Sequence, residues 1–262
     1  MTSTIAPPHR LLLNHIQTAL EADSRFTAVL AGGSLLHGGF DRYSDLDLVL
    51  VVNDTHYRDV MAARRDIAEG FGELLAAFTG EHVGEPRLLI CLYGPDVIHV
   101  DLKFVVADGL SHMVERPRIL FDRDGTMDAL LDQTHVRWPD REIDWFEERF
   151  WIWIHYAATK IGRGELFEAI GMLAFIRDQV LGPLIYMREG APQRGVRRIE
   201  QKFPDEAKRL KATLAEHDHE SVKAAIQSAM SLYQELTADQ LPADTPLRRK
   251  VRAYVEGVDP GS

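Results

Sequence analysis

The chain has 262 residues, 45% hydrophobic and 27% charged, with 30 Lys and Arg against 40 Asp and Glu for a formal net charge of −10. That is enough apolar chain for one large core or two modest ones. The charge argues against tight, salt-driven binding of long nucleic acid, because no whole-chain cationic field exists to displace counterions; it suits a cationic small substrate better. The longest uninterrupted apolar run, residues 88–93, is far short of the ~18 residues of a membrane span. The N-terminus has only residues 11–13 where a secretory signal needs a longer apolar stretch. The single cysteine, Cys91, lies inside the apolar run, so there is neither a disulfide framework nor a thiolate metal site. The expectation is a cytoplasmic protein with no membrane partner.

In chain order, residues 26–31, 46–52, 87–92 and 97–106 read as strands, and 118–121 as a short one closed by the turn Asp122-Arg123-Asp124-Gly125. A helical stretch is expected over 55–78, from the apolar series Val60, Ile67, Phe71, Leu74, Leu75 and Phe78. Strands and helices mixed in this way predict an α/β or α+β domain. After Trp138-Pro139 the pattern is helical. Ile143, Phe146, Phe150, Ile154, Ala157 and Ile161 form one stripe, and Leu166, Ile170, Leu173 and Ile176 a second. Gly182-Pro183 should break or kink the helix there, and Val222, Ala225, Ile226, Ala229, Tyr233 and Leu236 mark a late one. Trp138, Trp145, Trp151 and Trp153 cluster at the junction, where they are expected to fill the core between two domains; if two chains pair, this is a candidate surface. A boundary near 125–140 separates a domain of about 1–130 from a helical one of about 140–250.

The chemistry lies in Leu30-Ala31-Gly32-Gly33-Ser34 and, ten residues on, Asp45-Leu46-Asp47-Leu48-Val49-Leu50. Four of the eight residues 32–39 are glycine. After a strand, that lets the backbone approach a polyanion and aim N–H groups at phosphate oxygens. Ser34 is expected to cap a short helix whose positive end favours phosphate. Asp45 and Asp47, two apart on a strand, project from one face, with Leu46, Leu48 and Leu50 on the other. Two carboxylates forced together repel unless a divalent cation neutralises them, and hard oxygen ligands beside phosphate favour magnesium or manganese. Alternation over 97–105 places His99, Asp101 and Lys103 on one face of a later strand. If that strand lies beside the first, Asp101 can close the metal site. The plain alternative is an edge strand with solvated aspartates after an ordinary turn.

Gly33-Ser34, the ten-residue gap before Asp45, the run Ser44-Asp45-Leu46-Asp47-Leu48 and the later Asp101 resemble the signature of the DNA polymerase beta-type nucleotidyltransferase superfamily. Within it the chain is most similar to the antibiotic nucleotidyltransferases, especially the aminoglycoside adenylyltransferases of the streptomycin type. The resemblance implies a nucleotidyltransferase core with a mixed sheet, followed by an all-α C-terminal domain that binds substrate. It implies that Gly33 and Ser34 bind the nucleoside triphosphate and that Asp45 and Asp47 hold two magnesium ions. Asp101 would be a metal ligand, the general base, or both, and Ser44 would contact the phosphates. Lys160 and, as a weaker candidate, Arg42 would neutralise the triphosphate. The implied reaction moves AMP from ATP, or another nucleoside monophosphate, onto a hydroxyl of a small polar acceptor such as an aminoglycoside. The alternatives are a toxin-type enzyme acting on tRNA or protein, and a non-catalytic nucleotide-binding module.

Three other features stand outside this motif. Arg149 and His155 on one helix match the spacing of a helical ribonuclease, a short and degenerate pattern. His217 and His219 read as an interhelical loop before a metal site. The basic stretch Arg188, Arg194, Arg197, Arg198, Lys202, Lys208, Arg209 and Lys211 is interleaved with acids, as a solvated helix face is.

Overall fold

Alternation of buried and exposed side chains organises the first half of the chain. The computed structural model describes residues 5–36 and 40–259 and divides into two units, Met1–Trp138 and Pro139–Ser262. In the first, α1 (Pro7–Ala22) starts with prolines whose fixed φ suits a first helical turn. Its Leu12, Leu13, Ile16 and Leu20, spaced three and four apart, are buried. There follow β1 (Phe26–Ala31), β2 (Leu46–Val52), α2 (Tyr57–Glu69), β3 (Leu74–Gly80), β4 (Glu85–Tyr93) and β5 (Ile98–Val105). The unit closes with β6 (His112–Met113), β7 (Arg118–Asp122), α3 (Met127–Gln133) and β8 (His135–Val136).

Six strands form one mixed sheet in the order β3-β4-β5-β2-β1-β7, and β6 and β8 pair separately. Within the large sheet only the β2–β5 pair is parallel. One face carries Leu46, Leu48 and Leu50 of β2 with Val100, Leu102 and Phe104 of β5, packed with the apolar side of α1. Each such side chain contributes roughly 1.5–3 kcal/mol when fully buried. The opposite face carries, at one end, Val51 and Val105, which meet Leu110 and the α3 residues Met127 and Leu131. At its other end stand Asp47 and Asp101.

The helical unit runs α4 (Ile143–Gly162), α5 (Leu166–Ile176), a wide π-helical turn (Arg177–Leu181), α6 (Gly182–Arg188), α7 (Ile199–Lys202), α8 (Pro204–Lys211), α9 (His219–Thr237) and α10 (Pro246–Glu256). Asp218 and Thr245 cap α9 and α10 by accepting from the backbone N–H three residues on. Its core holds an ion pair: Arg248, 1% exposed, donates to both Glu147 oxygens at 3.1 and 2.8 Å. Glu147 also accepts from Tyr233 Oη at 2.7 Å and Trp151 Nε1 at 3.3 Å. The run Leu166–Arg188 is long and apolar enough by composition to cross a membrane, but half of it is buried inside the unit, as a core helix would be.

Three expectations need correcting. The helix expected over 55–78 ends at Glu69; Leu74, Leu75 and Phe78 lie on β3, an edge strand paired with β4. Gly70 and Gly72 interrupt the helix, and the remaining apolar residues follow strand pairing instead. Trp145, Trp151 and Trp153 belong to the helical unit's own core, and Trp151, at 0% exposure, offers no surface for pairing chains. Of the break or kink expected at Gly182-Pro183, the break is absent: α6 continues through the pair, and the regular helix is instead distorted just before it by the π turn.

Removing one partner of a buried, hydrogen-bonded ion pair strands the other. Arg248→Met should therefore cost about 3 kcal/mol, measured by urea denaturation, and a change within error would contradict this account of the helical core.

Candidate functional site

Parallel pairing sets β2 and β5 in a register that opposes Asp47 to Asp101 and Val49 to Lys103. Paired residues of parallel neighbours share a face, about 4.8 Å apart. The carboxylates of Asp47 and Asp101 thus stand side by side, and Asp45 lies just before β2. The flanking Leu46, Leu48 and Leu50 are 0%, 1% and 0% exposed, as alternation requires.

The glycine loop is stapled to the same strand. Gly32 N donates to Asp47 O at 2.9 Å. Gly33 has φ +54°, and a Cβ built on it would lie 1.8 Å from Asp47 Oδ2. Glycine is thus required here twice over, for the left-handed backbone and for the approach to the carboxylate. Ser34 does not cap a helix as expected. Residues Gly33–Leu35 make one 3₁₀ turn with Gly32 in the cap position, and Ser34 sits within it. Its Oγ is buried without a hydrogen-bond partner among the described residues. Gly38 and Gly39, the rest of the glycine-rich loop, lie outside the described residues.

Ser44 closes a local turn: its Oγ accepts from Asp41 N at 2.9 Å and donates to Asp41 Oδ1 at 3.3 Å. Arg42 is exposed and lies over the Tyr43 ring at 4.4 Å. Lys160 is in the helical unit, where its ammonium meets Glu165 at 2.8 Å and Glu168 at 3.1 Å. Those two carboxylates hold its pKa above the usual lysine range, so its charge is already committed. Asp101 Oδ1 is 2.9 Å from His99 Nε2.

His9 of α1 was not singled out from the sequence. It is 6% exposed, edge-on to Phe40 at 5.2 Å, with Nε2 3.0 Å from Ser44 O. A carbonyl can only accept, so Nε2 carries the proton. His9 therefore ties the residue before Asp45 to α1. Only an isolated histidine at position 9 marks this contact in the sequence.

Beside the carboxylates is a cavity of about 270 Å3, lined among others by Gly32, Gly33, Val49, Lys103 and Val105. Lys103 pairs with Glu85 at 2.9 Å. Arg87, then Lys103, pull the Glu85 pKa down to about 2, against the opposing effect of burial. Cys91 is buried, and burial pushes its thiol up to about 12, away from the thiolate form.

No three His, Cys, Asp or Glu side chains form a ready metal cluster among the described residues. The donors nonetheless fit a hard divalent cation with phosphate: the aspartates supply only oxygen, the space at Gly33 is kept clear against Asp47, and Ser34 Oγ has no partner. Asp101 would exchange its contact with His99 to join them. Other candidates are accounted for separately. Arg149 lies over Trp145 and His155 against Tyr254, so they do not make one site. His217 packs on Phe167, and in the basic stretch Lys208 and Arg209 pair with Asp205 and Glu206.

A sequence profile described as streptomycin adenylyltransferase matches residues 9–258. The chain belongs to the streptomycin adenylyltransferase family. No protein of curated function matches it in sequence. Among solved structures it is similar to an aminoglycoside 6-adenyltransferase from Bacillus subtilis, with 13% identity over 94% of this chain and 96% of that one and a TM-score of 0.43. It is also similar to a nucleotidyltransferase-like protein from Exiguobacterium sibiricum, with 10% identity, 87% and 75% coverage and a TM-score of 0.34. A third is terminal uridylyl transferase 4 from Trypanosoma brucei with bound UTP, at 12% identity, 86% and 64% coverage and a TM-score of 0.25. Gly33-Ser34, Asp45, Asp47 and Asp101 all lie within the span matched to the streptomycin adenylyltransferase family.

Two consequences can be measured. Gly33→Ala should cost about 1–2 kcal/mol for the left-handed backbone alone, read by urea denaturation, and more if the Asp47 carboxylate cannot move. Glu85, with its folded pKa at about 2 against an ordinary 4.5, stabilises the fold above about pH 5, and this contribution is lost as pH falls through 4.5 towards 2. Glu85→Gln should thus be about 1–3 kcal/mol less stable than the parent at pH 7, and the gap should close on acidification. A gap independent of pH would show that the ion pair is not its source.

Proposed function

We propose that the protein transfers AMP from ATP to a hydroxyl of a small, polar, cationic acceptor of the aminoglycoside class, releasing pyrophosphate. The observation that carries this reading is Gly33 held against Asp47 with Asp101 in register beside it. Family membership supports adenylyl as the group moved, and the acidic balance of the chain suits a cationic acceptor. In this reading the first unit, about 1–130, is the catalytic domain, and the helical unit, about 140–250, binds the acceptor. The lone buried Cys91 is in keeping with a cytoplasmic setting.

The Gly33 N–H and the Ser34 hydroxyl would donate to the triphosphate, and Ser44 and Arg42 would adjust around it. Lys160 would take part only by leaving Glu165 and Glu168. Asp45, Asp47 and Asp101 would hold two magnesium ions, which when bound supply charge neutralisation for the triphosphate and the entering hydroxyl. Asp101 would accept the acceptor's proton once its contact with His99 has been exchanged. The acceptor oxygen forms its bond to the α-phosphorus as the bond to the pyrophosphate oxygen breaks, and the proton ends on Asp101. Orientation and fixed charge supply most of the rate.

The test is pyrophosphate release from each nucleoside triphosphate with magnesium, across a panel of aminoglycosides. ATP with one acceptor should give release, and Asp47→Asn or Asp101→Asn should lower kcat by at least about 100-fold without loss of folding. Full activity in Asp47→Asn would overturn the assignment. Transfer of label to tRNA or protein instead of the small molecules would overturn the acceptor class.

A further inference from the structure

The helical unit contains a cavity of about 410 Å3 that the reaction above does not use, walled by Arg141, Asp178, Gln179, Gln193, Arg194 and Gly195 among others. Its walls are closely fastened. Pro183 has no N–H for the carbonyl of Gln179 four residues back, and Arg141 Nη1 donates to that carbonyl instead, at 3.2 Å. Gln193 clamps the Arg141 backbone, accepting from its N–H at 2.9 Å and donating to its carbonyl at 2.8 Å. Gln193 N in turn donates to Asp140 Oδ1 at 2.7 Å. The loop carrying Gly195 lies directly on the helix, because a Cβ on Gly182 would come within 2.2 Å of Gly195 O.

Cations are concentrated on this frame. The Arg141 guanidinium lies over the Trp145 ring at 3.8 Å, and Arg149 lies over the same ring at 4.5 Å. Arg149 has Glu148 at 2.9 Å. Arg141 makes no ion pair among the described residues; its one side-chain hydrogen bond is to the Gln179 carbonyl. A guanidinium has five N–H donors, so Arg141 keeps donors in reserve at the cavity wall. Burial, then the neighbouring Arg149, lower its pKa, with Asp178 opposing them. In a chain of net charge −10, an arginine that gives up water beside a like charge, with no carboxylate in contact, is an arrangement that an anion would complete.

We propose that this cavity is an oxyanion-binding site in which Arg141, with Arg194, grips the phosphate-type or carboxylate group of a small molecule. The planar fork of arginine suits either group, and the cavity volume is that of a small-ligand pocket. The site stands apart from the carboxylates of the first unit in sequence and chemistry, and it does not rest on the adenylyl-transfer reading.

The test is calorimetric titration of the full chain in EDTA with pyrophosphate, inorganic phosphate and citrate, with tryptophan fluorescence as a second readout because Trp145 lies under Arg141. Saturable binding is expected, weakened by salt and by about tenfold in Arg141→Gln. Arg141→Lys, which keeps the charge but not the fork, should fall between them, and Arg194→Gln should also weaken binding. Ser34→Ala should bind like the parent. Binding of the phosphates alone, or of citrate alone, names the group. Equal affinity in Arg141→Gln, loss confined to Ser34→Ala, or no saturation by any of the three probes overturns the site.

Discussion

The parallel ladder between β2 and β5 is the constraint on which the carboxylate face depends. A slip of one residue would turn every side chain of β2 to the other face. Leu46, Leu48 and Leu50 would be driven out of the core and the aspartates into it. Burial of those three leucines therefore fixes the register, and the register fixes Asp47 beside Asp101. Hydrophobic packing on one face of the sheet thereby determines polar geometry on the other.

That logic also explains what could be read in advance. Alternation over 97–105 placed His99, Asp101 and Lys103 together because strand periodicity is strict and its inner positions are apolar. The glycine loop announced a close approach, yet nothing local showed that the group approached is Asp47 itself. The segment after α2 misled because leucine and phenylalanine at three- and four-residue spacing serve a helix and a half-exposed edge strand equally well. Lys160 and Ser44 were legible as residue types but not in their present partners: Glu165 and Glu168 follow Lys160 closely, and Asp41 is a turn away from Ser44. The contact of His9 with Ser44 joins residues 35 positions apart and leaves no periodic trace.

The helical unit illustrates how an acidic chain uses its cations. Arg248 is enclosed by Glu147, and Arg209 bridges Glu206 and Glu235. Such pairs fix helix against helix, and each costs desolvation that its hydrogen bonds must offset. The π turn adjoining Pro183 belongs to the same economy of backbone groups, because a carbonyl left without its N–H must find another donor. In this unit that donor is the side chain of Arg141, two residues before α4.

The His9 contact has a dynamic consequence. Local opening free energies follow cooperative units more than individual hydrogen bonds. The segment before β2 is otherwise a turn with exposed residues at 41–43, which alone would open readily. Bound through Ser44 O to a helix whose inner side is buried in the sheet core, it shares the protection of that helix. Order at the acidic strand is in this way borrowed from a helix that packs into the sheet core.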